Sequence, residues 1–214
     1  MSDISYELFL PHVLPYVPNA PDIQVVNAVR NTCIEFCQNT LVLQQDLDAI
    51  STVAGVGDYD IDVPSGYTLT QVVSLYYKLS RLERKSQTEL EKLYTRDWQQ
   101  ISGTPKCFTM LTPAVVTLVL NPSESAANAL TGRIAYVPSR ASLTIDPDLL
   151  ERYAEHISFG TLFRLLTTPN EPYTDMQSAA YYGTKFRSMM ATTKALVLGG
   201  NNHAPMRVRF NRIW

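Results

Sequence analysis

The sequence predicts an α+β fold: a helical bundle formed by N- and C-terminal helices, with a β-rich insertion and an extended C-terminal arm. Apolar residues recur at helical spacing towards both ends of the chain. Between them, Val, Tyr and Thr alternate with polar residues, and turn-forming Gly and Pro recur, which is typical of strands. The predicted parts are 1–45, the N-terminal helical part of the bundle; 46–145, the insertion with one helix; 146–200, the C-terminal helices; and 201–214, the arm.

The N-terminal part is predicted to contain one long helix. Prolines within residues 5–18 leave only short or broken helices there. The long helix begins at Pro21-Asp22, because proline fits the first turn and an acidic side chain fits the positive helix end. It ends at residues 38–40. Its apolar face consists of Val25, Val26, Val29, Cys33, Phe36 and Cys37.

The insertion is predicted to be mostly strand. Over residues 58–63, apolar and acidic side chains alternate, and residues 64–66, Pro-Ser-Gly, form a turn. One face of this strand carries Tyr59, Ile61 and Val63, and the other carries Asp58, Asp60 and Asp62. Further strands are predicted over residues 69–79, 115–120 and 132–137, and one helix over residues 88–101.

Two helices are predicted in the C-terminal part. The first begins after Asp146 as N-cap, has Pro147 in its first turn, and ends near Leu166. The second covers residues 173–198, before a pair of glycines. Its apolar stripe consists of Met176, Ala179, Ala180, Gly183, Phe186, Met190 and Val197. The small residues of this stripe would let a neighbouring helix approach closely.

Acidic and basic residues are separated along the chain. Residues 1–75 contain nine acidic residues and a single basic one, whereas residues 176–214 contain six basic residues and no acidic one. The net charge of −2 argues against a dedicated duplex-DNA-binding protein, because affinity for phosphates depends on an excess of Lys and Arg. This separation favours assembly between protein surfaces over catalysis.

Composition and motifs narrow the function classes further. No apolar run approaches the roughly 18 to 20 residues of a membrane span, and no basic leader precedes an apolar segment. We therefore expect a soluble protein made in the cytoplasm, without membrane contact. Three cysteines, two of them one helical turn apart, predict buried thiols in a reducing compartment.

No catalytic or metal site is predicted. Asp58, Asp60 and Asp62 have the spacing that begins a calcium loop, but Val63 and Leu69 stand where such a loop needs Gly and Glu. The exposed face of a strand explains the same alternation. The chain also lacks a phosphate-binding Gly-rich loop and a Gly-x-Ser-x-Gly motif. We expect no enzyme activity and no cofactor, and His156 is expected to be a packed or partly exposed histidine rather than a ligand or base.

The C-terminal arm is the strongest candidate for a binding segment. It alternates apolar and cationic residues, so an extended conformation has one face of each kind. Such a segment can add to the edge of another chain's sheet or lie in a groove. The alternative is a strand folded back on the same subunit. The candidate binding residues are Met206, Arg207, Val208, Arg209, Phe210, Arg212 and Trp214.

The order of these features resembles the head-to-tail adaptor, or connector, proteins of tailed bacteriophages, in particular the tail tubular A-like class. The resemblance covers about residues 5–190. The first matching segments are Phe9-Leu10-Pro11-x-Val13, Pro18-x-Ala20-Pro21, Ile23, Ala28-x-Arg30, Glu35-Phe36-Cys37 and Thr40. The later ones are Tyr59-x-Ile61-x-Val63-Pro64, Trp98, Gly103-x-Pro105, Tyr153, Ile157, Gly160-x-Leu162 and the 179–186 segment, whereas Tyr173 replaces an expected tryptophan.

This resemblance implies a structural virion protein in the neck between capsid and tail. Its partners would be the portal protein ring, tail or nozzle proteins, and further copies of itself in a ring, usually of twelve. DNA would pass through the channel without sequence-specific binding, and the arm would bind the portal. Asp58, Asp60 and Asp62 would face the lumen or a subunit interface.

Two other functions remain open. One is a tail-completion or neck protein on the tail side, which the sequence does not separate from an adaptor. The other is a small nucleic-acid-binding module that uses the basic C-terminal tail together with Tyr181 and Tyr182.

Overall fold

The computed structural model describes residues 3–94 and 97–200. This part of the chain has a mixed α+β fold, as predicted. The helices are α1 (Leu10–Val13), α2 (Asp22–Thr40), α3 (Gln87–Tyr94), α4 (Pro147–Leu166) and α5 (Met176–Leu198). The strands are β1 (Ile4–Ser5), β2 (Gln44–Thr52), β3 (Asp58–Asp60), β4 (Tyr67–Tyr77), β5 (Ser80–Arg81), β6 (Glu83–Arg84), β7 (Ser102–Gly103), β8 (Cys107–Thr112), β9 (Val115–Val119), β10 (Asn121–Pro122), β11 (Ala126–Pro138) and β12 (Thr144–Ile145).

The described residues divide into two compact units. One contains residues 3–42 and 138–200, and the other contains residues 43–137. The first unit holds α1, α2, α4 and α5 together with the β1–β12 pair, and the second holds α3 and the remaining strands.

The unit of residues 3–42 and 138–200 is called the helical unit below. Its first segment is broken, as its prolines predict. A 3₁₀ turn over Tyr6–Phe9 leads into α1, and a second covers Leu14–Tyr16. Pro11 and Pro15 each occupy the start of a new helical segment, where their missing N–H groups cost nothing. The segment packs against α2 and α4.

The predicted limits of α2 are confirmed. Asp22 lies in its first turn, and the helix ends at Thr40 before Leu41, whose backbone is left-handed with φ of 57°. Cys33, Phe36 and Cys37 are fully buried, as predicted, whereas Val26 is only half-buried.

Helix α4 also begins and ends where predicted. The Asp146 side chain accepts a hydrogen bond from the Asp148 N–H at 2.9 Å and caps the helix, and Pro147 is its first residue. The sequence did not predict the kink at Tyr153, where φ is −126° and ψ is 16°.

Helix α5 begins three residues later than predicted. Asp175 is its N-cap and accepts hydrogen bonds from the N–H groups of Gln177 and Ser178 at 3.0 and 3.2 Å. Met176 and Ala180 are exposed, contrary to their assignment to the apolar stripe. The predicted close approach occurs at Gly183, where an added Cβ would lie 2.7 Å from the Phe163 ring of α4.

The second unit contains two four-stranded sheets around one core. Their strand orders are β2-β11-β4-β5 and β3-β9-β8-β6, mostly antiparallel, with β6 parallel to β8. Leu75, Leu130 and Ile134 of one sheet share a buried cluster with Phe108 and Leu118 of the other. The predicted strands at 69–79, 115–120 and 132–137 correspond to β4, β9 and the second half of β11.

The helix predicted over residues 88–101 is shorter than expected. Helix α3 covers Gln87–Tyr94, and a separate 3₁₀ turn covers Trp98–Gln100. Asp97 has non-helical torsion angles, and Ile101 is extended. Leu90 and Trp98 nonetheless bury together against Cys107 and Val119.

Candidate assembly surface

Strand β3 places the three predicted aspartates on the outside of the second unit. It pairs antiparallel with β9, with Asp58 opposite Thr117 and Asp60 opposite Val115. Tyr59 and Ile61 are buried, whereas Asp58, Asp60 and Asp62 are exposed. The predicted alternation is therefore correct, although the hydrogen-bonded strand is shorter than the 58–63 segment.

The backbone of β3 has one paired and one open side. The Leu118 N–H donates to the Gly57 carbonyl and the Ile61 N–H donates to the Ala114 carbonyl, both at 2.8 Å. Odd-numbered residues of this segment therefore bond towards β9, and the N–H and C=O groups of Asp58 and Asp60 point away from it. Within the described residues, β3 is the outermost strand of its sheet.

Among the described residues, the aspartates on this edge have no cationic partner. Thr117 Oγ1 donates a hydrogen bond to Asp58 Oδ1 at 2.6 Å, and across residues 3–94 and 97–200 no ion pair reaches Asp58, Asp60 or Asp62. Asp46 of β2 differs, because Arg133 Nε donates to it at 2.9 Å. The β3 edge therefore carries uncompensated negative charge, which favours a cationic partner.

Contacts of Tyr59 and of the residue before β3 hold this strand in position. The Tyr59 hydroxyl accepts a hydrogen bond from the Val53 N–H at 3.1 Å and donates to the Val56 carbonyl at 2.9 Å. A Cβ at Gly57 would lie 2.4 Å from Asn121 Oδ1, so the residue preceding β3 is closely packed. The edge is thus a preformed strand.

The predicted arm residues, from Met206 to Trp214, lie outside the described residues, so their assignment stays a prediction. Helix α5, which precedes them, is already cationic. Lys185, Arg187 and Lys194 are exposed on it, and the helix contains no acidic residue. Lys185 Nζ lies 5.7 Å from the centre of the Tyr181 ring.

The helical unit contains an ion pair that the sequence did not reveal. Arg164 of α4 donates to Glu35 of α2 at close range. Both side chains line a cavity of about 320 Å³ that Arg140 also lines. Because the two partners lie 129 positions apart, no local spacing signals the contact. Half-exposed pairs of this kind contribute little stability.

Tyr181 and Tyr182 belong to an aromatic cluster. Tyr182 is half-buried and packs against Tyr16 and Phe159, with ring centres 6.2 and 5.5 Å away. Tyr181 stands beside it with 56% of its surface exposed. Tyr182 is therefore packed within the helical unit, and Tyr181 is the member of this pair that is exposed.

Three titratable side chains of the helical unit are packed: Cys33, Cys37 and His156. Burial raises the pKa of the Cys33 thiol, and burial together with Cys33 raises that of Cys37. Burial lowers the pKa of His156, whose ring packs against Phe36 and Tyr153, while Glu155 acts in the opposite direction. Neutral thiols are poor nucleophiles and metal ligands. Over the described residues, no three His, Cys, Asp or Glu side chains lie close enough to hold a metal ion.

No protein-family model matches the chain, and a search of curated proteins returns no match. Of the helices in the described residues, none is long and apolar enough to cross a membrane.

Proposed function

We propose that the chain is a structural virion protein, a head-to-tail adaptor that forms a ring beneath the portal. The observation that carries the proposal is that β3 is an acidic outer strand among the described residues, while residues 176–214 contain six basic and no acidic side chains. A ring needs two unlike, complementary surfaces on each copy, because its interface is heterologous. The opposite charges of β3 and of the C-terminal region support such an arrangement.

The resemblance to phage adaptors supplies the rest of the proposal. In the proposed adaptor, the helices of residues 3–42 and 138–200 form one bundle, and residues 43–137 are the β-rich insertion. The arm reaches the portal, and tail or nozzle proteins bind the other face of the ring. DNA passes through the channel without sequence-specific binding. The protein is made in the host cytoplasm and acts in the virion neck, without enzyme activity.

Association with the portal tests this function. The full chain and a version ending at Gly200 are each mixed with the cognate portal ring and analysed by size-exclusion chromatography with light scattering. We expect the full chain to co-elute with the portal as a ring, and the shortened chain to lose this association. Melting curves of the two proteins alone establish that both are folded.

No association of the full chain with portal would overturn the adaptor proposal. Co-elution with isolated tail components instead would identify a tail-side neck protein. Retention of portal binding by the shortened chain would keep the adaptor role but remove the arm from portal recognition.

Nucleic-acid binding is the second candidate, because exposed Tyr181 with Lys185 beside its ring offers a stacking surface next to a cation. It predicts binding of single-stranded DNA by the isolated protein, with affinity that falls steeply with salt. Fluorescence anisotropy of a labelled oligonucleotide at two salt concentrations measures it. Loss of binding in Y181A, but not in Y16A, would assign it to this surface.

A further inference from the structure

Among the outer strands of the two described sheets, β3 is the best suited to accept another strand. Strands β5 and β6 have two residues each. Strand β2 has two register irregularities against β11, and Arg133 already neutralises its Asp46. Strand β3 pairs in regular register over all its residues, and its outward backbone groups belong to aspartates that form no ion pair within the described residues.

The C-terminal arm has the pattern that this edge requires. In an extended strand, Arg207, Arg209 and Asn211 fall on one face, and Met206, Val208 and Phe210 fall on the other. Added to β3, the first face lies beside the aspartates. The second lies on the side of the buried Tyr59 and Ile61. Segments 58–62 and 207–211 have equal lengths, about 13 Å when extended.

We infer that residues 207–211 of one copy add as a strand to the β3 edge of a neighbouring copy, with arginines beside Asp58, Asp60 and Asp62. The partner is thus a second copy of this chain. Hydrogen bonds to the outward N–H and C=O groups of Asp58 and Asp60 hold the added strand. The opposite charges determine which face of that strand lies beside the aspartates. Six residues separate Gly200 from Arg207, so the donor's Gly200 must lie within about 25 Å of the edge.

This inference rests on the proposed ring and divides the arm into two parts. Residues 207–211 join neighbouring copies, while Arg212 and Trp214 continue beyond the edge and stay available to the portal. The same segment therefore couples ring closure to portal contact. The strand-forming part needs no pocket, because it uses the open side of β3.

Site-specific cross-linking tests the inference in the full chain. Asp60 and Arg209 are the central residues of their segments, so they lie side by side whether the added strand is parallel or antiparallel. A D60C chain and an R209C chain are mixed and oxidised, both free and bound to the portal ring. The native cysteines do not interfere, because Cys33, Cys37 and Cys107 are buried. We expect a disulfide-linked dimer.

Matched variants separate strand addition from random collision. R187C, an exposed cationic position on α5, replaces R209C as the control and should give no dimer above background. Adding R207E to the R209C chain replaces an opposite-charge neighbour by a like-charge one, which should lower the dimer yield about twofold to thirtyfold. K92E, an equal charge reversal at an exposed residue of α3, should leave the yield unchanged.

The outcomes distinguish this inference from the proposed function. No cross-link above the control, in protein that co-elutes with portal, overturns strand addition and leaves the adaptor role intact. A chain that carries both D60C and R209C tests the identity of the partner. If the cross-link forms only within this one chain, the partner is not a second copy, because the arm then folds back on its own subunit. A cross-link between copies without any portal association supports strand addition at the β3 edge and contradicts the proposed adaptor function.

Discussion

At the scale of single residues, Phe36 connects the three long helices of the helical unit. It is fully buried on α2, and its ring lies 5.1 Å from Tyr153 of α4 and 6.4 Å from Phe186 of α5. We expect F36A to lower the free energy of unfolding by about 3–5 kcal/mol through lost contacts and a cavity. Urea denaturation followed by circular dichroism measures the loss. Ile23 on the same helix is 72% exposed, so I23A should change stability by less than about 0.5 kcal/mol.

His156 should make stability depend on pH. Burial lowers its pKa in the folded protein, so the unfolded chain binds more protons as pH falls through the ordinary histidine range. Stability should therefore be highest above about pH 6.5 and decrease below it. H156Q should reduce this dependence between pH 7 and 5, about the window in which histidine titrates. Equal pH profiles for H156Q and the parent protein would contradict this role.

At the scale of secondary-structure elements, the N-cap of α4 determines where the C-terminal helices begin. Asp146 accepts the hydrogen bond from the Asp148 N–H that would otherwise be unsatisfied. D146A should destabilise the protein by about 0.5–2 kcal/mol, whereas D146S keeps an accepting oxygen and should cost less. Thermal unfolding of the two variants compares them. Equal losses would mean that the charge, or packing around it, matters more than the cap.

The elements that the sequence predicted best are those whose ends are set by local chemistry. Pro21 and Asp22 fix the start of α2, and Asp146 with Pro147 fixes the start of α4. The kink at Tyr153 depends on tertiary packing and has no local signal. Strand β2 was not identified as a strand because its sequence is largely polar and its partner in the described structure, β11, lies about 80 residues later.

The candidate site likewise has features that the local sequence predicts and features that depend on tertiary contacts. Alternation alone placed Asp58, Asp60 and Asp62 on an exposed face, because side chains of a strand point to opposite sides. It could not reveal that β3 is outermost among the described strands of its sheet, since strand order depends on contacts between distant segments. The Arg164–Glu35 pair was missed for the same reason.

At the scale of the whole molecule, the separation of charge along the sequence gives a prediction about assembly. The triple variant D58N/D60N/D62N should fold normally, because all three side chains are exposed. It should form portal-bound rings less well than the parent protein, since it loses the attraction to a neighbour's arginines. Light scattering of the portal complex measures how many copies it carries. The variant E7Q/E151Q/E155Q changes net charge equally, at exposed residues of the helical unit, and should assemble like the parent.

Salt provides an independent measure of the same interaction. At about 1 M salt the screening length is about 3 Å, so the exposed Asp–Arg contribution should largely disappear. The parent protein should then assemble no better than the triple variant, and the two should differ most at low salt. If the triple variant assembles like the parent at every salt concentration, the aspartates do not pair across copies. The backbone of β3 could then accept a strand, but its charge would not select which one.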